Sequence, residues 1–376
     1  MNRRLMLVVC VVFAAAPGSL EGQSPSTTLR PAGPIPKDPT PEDVYRAACL
    51  TCHGPDGTGG AQAALGNVSP PDFSDCAFAT AEPDADWHAV THEGGPIRAL
   101  GRHMPAFGDA LSPEEIALAI RHIRTFCREP AWPRGDLNLP RAFHTEKAFP
   151  ENELVWTTAV AGRHPRTIGN ELIYERRLGA RNQVELVVPI DFQQAAAGEW
   201  NRGLGDVGVA FKRAFYASME TGAIAAAGME VVLPTGKETL GLGNGFTIFE
   251  PFAMWGLLLP HESFLQMHGG LEIPSDESKG TTEVYLRTSI GTTLAQDRGF
   301  GRAWSVQVET LWARPEGGPS EWDVAPQVQI TLSKLQHVMV AAGVRIPLNE
   351  REDRPVQALV YLLWDWFDGS LFKYWK

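Results

Sequence analysis

Over much of the C-terminal half, apolar and polar residues alternate with a period of two. From Trp304 to Trp312, one face carries Trp304, Val306, Val308, Thr310 and Trp312, and the other Ser305, Gln307 and Glu309. The alternation recurs at Val184, Leu186, Val188, Ile190 and Phe192, against Glu185 and Asp191. It returns at Val324, Val328, Ile330 and Leu332, against Gln327, Gln329 and Thr331, and again at Val338, Val340, Ala342, Val344 and Ile346. Such a pattern predicts strands with one apolar and one polar face. A soluble sandwich would turn the apolar face inward. A transmembrane barrel would turn it outward to lipid and set aromatic residues at the membrane edges.

The barrel is the better fit. The strands are long, and aromatics sit toward their ends, as with Trp304 and Trp312 or Trp364 and Trp366. The chain closes on Phe372-Lys373-Tyr374-Trp375-Lys376, near the terminal aromatic common in outer-membrane barrels. About twelve antiparallel strands are predicted over residues 153–376, within the known range. An even number places both ends on the periplasmic side, with short turns there and longer loops outside. Long connections at Gln193–Gly205, Pro234–Gly245, Pro315–Asp323 and Leu348–Pro355 alternate with short ones at Gly179–Ala180, Ser218–Glu220, Pro260–Glu262 and Lys334–Gln336. The first hairpin, near His164 to Arg166, departs by being short on the outside.

The N-terminal part reads differently. Arg3 and Arg4 precede an apolar run from Leu5 to Ala16, and small residues follow, which predicts a signal peptide over residues 1–22. Cys10 lies in that run behind Val9, where a lipid anchor would want a small residue, so it is expected to leave with the signal. Residues 23–40 form a Pro/Ser/Thr-rich linker. Helical patterning occupies residues 41–128, and a second Pro-rich linker, residues 129–152, sets the domain boundary. No later stretch is apolar enough for a membrane helix, so insertion must be by strands. The net charge of −11 over 376 residues argues against nucleic acid, which needs a basic surface.

Cys49-Leu50-Thr51-Cys52-His53 is a C-x-x-C-H motif. Thiols at this spacing add to the two vinyl groups of haem, and the adjoining His reaches the iron. Thr40 is expected to cap the helix that carries the motif. Cys76 and Cys127 remain, with no second haem motif to use them. In an exported domain they are expected to pair, two separate buried thiols being the alternative.

Cys52-His53-Gly54-Pro55-Asp56-Gly57-Thr58-Gly59-Gly60 resembles the haem loop of class I cytochromes c. His103-Met104-Pro105-Ala106-Phe107-Gly108 resembles that family's distal-ligand loop, and Leu111-Ser112-Pro113-Glu114-Glu115-Ile116 the start of its C-terminal helix. The resemblance covers about residues 40–128. It implies one covalent haem c whose iron is held by His53 and Met104, with Pro70 or Pro71 accepting a hydrogen bond from the proximal His. His88, His92, His103 and His122 are rival ligands, His103 the strongest because it adjoins Met104. His88 and His92, four apart, read as a solvated helix face. In the β half, Gly203-Leu204-Gly205-Asp206-Val207, Leu233-Pro234-Thr235-Gly236-Lys237 and Gly241-Leu242-Gly243-Asn244-Gly245 resemble the outer-membrane channels grouped with the phenol-degradation MetA-pathway family.

The chain is therefore expected to be multidomain, an all-α cytochrome c domain followed by an all-β transmembrane barrel. The pairing predicts an electron carrier and not a catalyst. It would be anchored in outer-membrane lipid and serve periplasmic redox partners, with the haem domain below the periplasmic mouth. The alternative is an outer-membrane channel for small molecules, aromatic ones among them, with the cytochrome as redox sensor or gate. A soluble enzyme is a third reading, but the β half offers no metal cluster, nucleophile–base pair or phosphate loop.

Overall fold

The computed structural model describes residues 34–59, 69–162, 166–195, 198–296, 303–352 and 354–365. The signal segment, Cys10, most of the first linker, Trp366 and the terminal aromatics lie outside the described residues, as does His164 of the first hairpin.

The C-terminal half closes into a barrel. Its strands are β1 (Glu153–Ala161), β2 (Thr167–Leu178), β3 (Asn182–Gln194), β4 (Trp200–Leu204), β5 (Val207–Ser218), β6 (Ala223–Leu233), β7 (Ile248–Leu259), β8 (Ser263–Pro274), β9 (Glu283–Gln296), β10 (Ala303–Pro315), β11 (Glu321–Thr331), β12 (Val338–Pro347) and β13 (Gln357–Asp365). Each pairs antiparallel with its neighbours, and β1 closes the ring on β13 from Glu153↔Asp365 to Ala161↔Gln357. Strands β4 and β5 are two halves of one stave. Both pair with β3, through residues 190–194 and 182–187 respectively, so the barrel has twelve staves. The connection expected from Gln193 to Gly205 is thus shorter than the sequence suggested, because Trp200–Leu204 prolongs the stave.

The three glycine-rich motifs meet where this stave breaks. Asp206 accepts from the Gly236 amide at 2.9 Å and the Asn244 amide at 2.7 Å, while Thr235 Oγ1 donates to the Gly205 carbonyl at 2.9 Å. The motifs are therefore one hydrogen-bonded knot that joins the break to the β6–β7 loop.

The burial pattern identifies the kind of barrel. Lumen-facing Ser305, Gln307, Glu309, Gln327 and Gln329 are buried, whereas outward-facing Val209, Ile290, Val306, Val308 and Val360 are exposed. In a soluble sandwich the apolar face would be the buried one. An exposed apolar belt around a polar interior is the arrangement that lipid requires. Trp304 and Trp322 stand exposed toward opposite ends of it.

The lumen is filled by the protein's own chain. The Pro-rich linker expected to hold the helical domain below the barrel instead enters it: Leu137, Leu139, Ala142, Thr145, Lys147, Ala148 and Phe149 are all buried. Leu137, Ala148 and Phe149 pack on Ala210, Ala214, Ile224, Ala226, Phe252 and Met254 of the wall. Phe143 meets the Tyr361 ring edge-on at 5.1 Å. Burying a Phe or Leu side chain stabilises the seating by roughly 1.5–3 kcal/mol each. Prolines suit this stretch for a reason unrelated to mobility. They remove backbone donors that an irregular buried segment would have to satisfy.

The N-terminal part is helical: α1 (Pro41–Ala48), α2 (Leu50–His53), α3 (Cys76–Ala79), α4 (Asp84–Glu93) and α5 (Pro113–Arg124). Thr40 and Ser112 begin α1 and α5 with capping boxes, closed by Asp43 and Glu115. Val44 and Tyr45 of α1 meet Ile116, Ala119, Ile120 and Ile123 of α5 in one apolar core.

Candidate functional site: a haem-binding cluster

The N-capped α1 ends at Cys49, and α2 carries Cys52 and His53. Tyr45 Oη donates to the Gly54 carbonyl at 2.7 Å, tying the motif back to the first helix. The Gly59 amide donates to the His53 carbonyl at 3.0 Å, and the Phe73 amide to the Gly57 carbonyl at 2.8 Å, which folds the loop over the motif. The His53 ring stacks on Phe73 at 4.7 Å.

Met104 packs against the same apolar core that contains Cys49 and Phe73. Its loop is pinned on both sides. The Gly95 amide donates to the Met104 carbonyl at 2.9 Å, and the Phe107 and Gly108 amides donate to the Thr91 and His92 carbonyls of α4, each at 3.0 Å. Gly94, at φ +85°, lies so close that an added Cβ would sit 3.1 Å from the Met104 carbonyl. At Gly95 a Cβ would collide with the Gly101 carbonyl. The Gly94-Gly95 pair thus lets the distal loop approach, a signal the sequence carries and motif reading passes over.

The rival histidines are placed elsewhere. His103 is exposed although it adjoins Met104. His88 and His92 stack on α4 at 5.9 Å, and His92 lies 2.8 Å from Glu93. His122 packs on Tyr45 and Phe126. Among the described residues no group of three or more His, Cys, Asp or Glu side chains could hold a metal ion.

These residues fit haem c. Burial holds the His53 imidazole down to about 4, so it is neutral at physiological pH, as an iron ligand must be. Burial pushes the Cys49 thiol up to about 12, opposite to the depressed value a catalytic dithiol needs. His53 Nδ1 is buried and has no hydrogen-bond partner among the described residues. Neither proline carbonyl reaches it. The Pro70 carbonyl lies beside Gly59 and accepts from Ser69 Oγ at 3.4 Å, while Pro71 is exposed. Of the two, Pro70 is the one against the haem loop.

Cys76 and Cys127 form a disulfide, their Cα atoms 5.0 Å apart, joining α3 to the segment after α5. Closing a loop with a sequence separation of 51 residues stabilises by about 4 kcal/mol in the chain-entropy picture. Non-reducing peptide mapping should recover the linked pair, and Cys76→Ser should lower the melting temperature of the helical domain. Two alkylatable thiols in the native protein would contradict this.

The sequence did not reveal how the helical domain meets the barrel. Arg124 pairs with Asp84 at 2.9 Å and lies over Trp87 at 4.4 Å. Arg134 bridges Asp84 at 2.6 Å and Asp136 at 2.7 Å. Glu82 lies 3.1 Å from His337 Nε2 in the β11–β12 turn, and Arg181 Nε of the β2–β3 turn donates to the Ala131 carbonyl at 2.7 Å. The last two contacts lie at the barrel end that carries the short turns and the first residues of β1.

Residues 36–123 match the family model described as cytochrome c oxidase, cbb3-type, subunit III. A sequence search of curated proteins finds no match. Among solved structures, the NanC porin is similar with a TM-score of 0.41 at 10% identity, covering 56% of this chain and 98% of that one. An outer-membrane channel from Pseudomonas putida F1 gives 0.40 at 12% identity, over 60% and 99%. The KdgM porin gives 0.38 at 8% identity, over 57% and 98%. The fold is a barrel with an exposed apolar belt and a polar interior, preceded by a helical domain that gathers Cys49, Phe73 and Met104 around one core. Residues 36–123 thus match a cytochrome c family model, and they precede a barrel of twelve antiparallel staves.

Proposed function

We propose that this protein transfers single electrons through one covalently attached haem c, held at the periplasmic mouth of an outer-membrane barrel that serves as its anchor. The observation that carries this reading is the gathering of Cys49, His53 and Met104 around one apolar core, with His53 reaching it through Phe73. Cys49 and Cys52 would hold the porphyrin, His53 and Met104 the iron. Bound there, the group supplies a reversible one-electron couple whose potential a thioether ligand raises relative to a second imidazole. The chain's own part is to keep the imidazole neutral, exclude water and fix the distal loop through Gly95, Thr91 and His92.

The barrel reading rests on the inverted burial pattern, and the periplasmic placement on the helical domain's contacts at the short-turn end. With residues 137–149 seated in it, the lumen offers the channel alternative no open path in this state. Soluble periplasmic redox proteins are the expected partners, and the chain is proposed as a carrier with no catalytic step of its own.

Met104→Ala should lower the reduction potential and abolish the sulfur-to-iron charge-transfer band, while His103→Ala leaves both unchanged. Redox titration followed by absorbance checks this. The reverse result, with the band lost only in His103→Ala, would move the distal ligand to the imidazole.

A further inference from the structure

The segment inside the barrel is held from every side. Glu309 of β10, fully buried, accepts three consecutive backbone amides, from Phe143 at 3.1 Å, His144 at 3.0 Å and Thr145 at 2.6 Å, and the Gln327 side chain at 2.7 Å. Arg141 pairs with Glu153 of β1 and, at 2.6 Å, with Glu175 of β2. The Arg141 carbonyl accepts from Gln307 of β10 at 2.8 Å and from Tyr361 of β13 at 2.9 Å. Gln266 of β8 donates to the Pro140 carbonyl at 2.8 Å, and Lys212 of β5 to the Lys147 carbonyl at 2.6 Å. Lys147 itself pairs with Glu151 and Glu153.

We infer that residues 137–149 are a resident plug that closes a latent ion-conducting pore, an activity separate from electron transfer. Three features carry this. The partners come from staves spaced around the ring, so the segment crosses the lumen and does not merely line one wall. The wall groups are polar or charged and buried, a costly choice for a barrel that only had to anchor something. A solid anchor could fill its interior with apolar side chains, whereas these groups satisfy a separable piece of chain and would be satisfied equally well by water. Finally, toward the long-loop end the lumen faces carry Glu230 directly opposite Glu250, and Glu272 opposite Glu283, four carboxylates against the guanidinium of Arg287, which lies 3.9 Å from Glu272. Like charges paired across strands oppose sheet stability. A pore freed of its plug at this wall is therefore expected to prefer cations.

The plug is continuous with the haem domain through Gly135, whose amide donates to the Thr80 carbonyl at 2.8 Å. Movement of that domain would therefore pull on the plug directly.

The test uses the full-length haem protein in planar bilayers. Glu309→Ala leaves three plug amides without an acceptor and favours their release to water. Wild type should show no channel steps. Glu309→Ala should show steps, with a reversal potential in a KCl gradient that reports cation preference. Retained heat-modifiable mobility confirms that the variant barrel is assembled. A second variant, Ala142→Cys, reports on seating without depending on conductance, because Ala142 is only 2% exposed. The thiol it introduces should resist a membrane-impermeant maleimide when Glu309 is intact, and should become reactive when Glu309→Ala is added. Open-pore conductance in wild type, rapid labelling of the Ala142→Cys protein with Glu309 intact, or an anion-selective pore in Glu309→Ala would each overturn the proposal. So would an assembled double variant, Ala142→Cys with Glu309→Ala, that stays silent while its introduced thiol becomes reactive.

Discussion

A Cys49→Ala, Cys52→Ala double variant should carry no covalent haem and show no redox activity, yet still assemble its barrel. Among the described residues the thioether bonds have no other source of thiols, since Cys76 and Cys127 are bonded to each other. The apolar core around Cys49 is separate from the two clusters in the barrel, one around Phe149 and Phe252, the other around Val155 and Tyr361. Loss of the group should therefore loosen the helical domain and leave the strands alone. Haem staining of gels and heat-modifiable mobility read the two halves independently. Retained haem stain, or loss of the assembled barrel along with the haem, would mean that the sites or the division are misplaced.

An equally large effect is expected from a charge on the outer face. Ile290 is 56% exposed and stands opposite Val308 on the neighbouring stave. Ile290 is in the middle of β9, so Ile290→Arg should destabilise the barrel in lipid by about 2–4 kcal/mol, the cost of a cation near the bilayer midplane. Glu230→Arg, on the lumen face of β6 and opposite Glu250, should assemble normally, because that side chain faces the lumen and not lipid. Urea titrations of barrel refolded into vesicles compare the two. Equal stability of both variants would remove the case for a lipid-facing belt.

The barrel was legible in the sequence because lipid imposes a strict rule. Every second residue from Trp304 to Thr310 faces outward and every second one inward, so period two survives through most of the stave. The candidate haem site was legible because the proposed chemistry needs adjacent residues: Cys49, Cys52 and His53 sit within five positions, and Met104 is marked by Pro105. The plug was not legible. Its conformation is irregular and has no period, and its prolines look like those of a mobile linker. What distinguishes it is the run of Leu137, Leu139, Ala142, Phe143, Ala148 and Phe149 interleaved with Arg141 and Lys147, too apolar for a solvated tether. Their partners, Glu309 and Glu175, are far away in the chain, so only the closed fold brings them together. The lock at the barrel mouth between Glu82 and His337 was hidden for the same reason.

One haem at one mouth of a membrane barrel should exchange electrons on that side alone, and the proposed function stands or falls on this. The apolar band of such barrels is about 25 Å tall, too far for a single group at one end to bridge by itself. The most direct measurement places the pure protein in liposomes with the haem domain inside and adds a membrane-impermeant reductant outside. The haem should stay oxidised until the vesicles are lysed and then be reduced at once. Rapid reduction in intact vesicles, with no partner protein present, would contradict this and make the chain a complete transmembrane conduit.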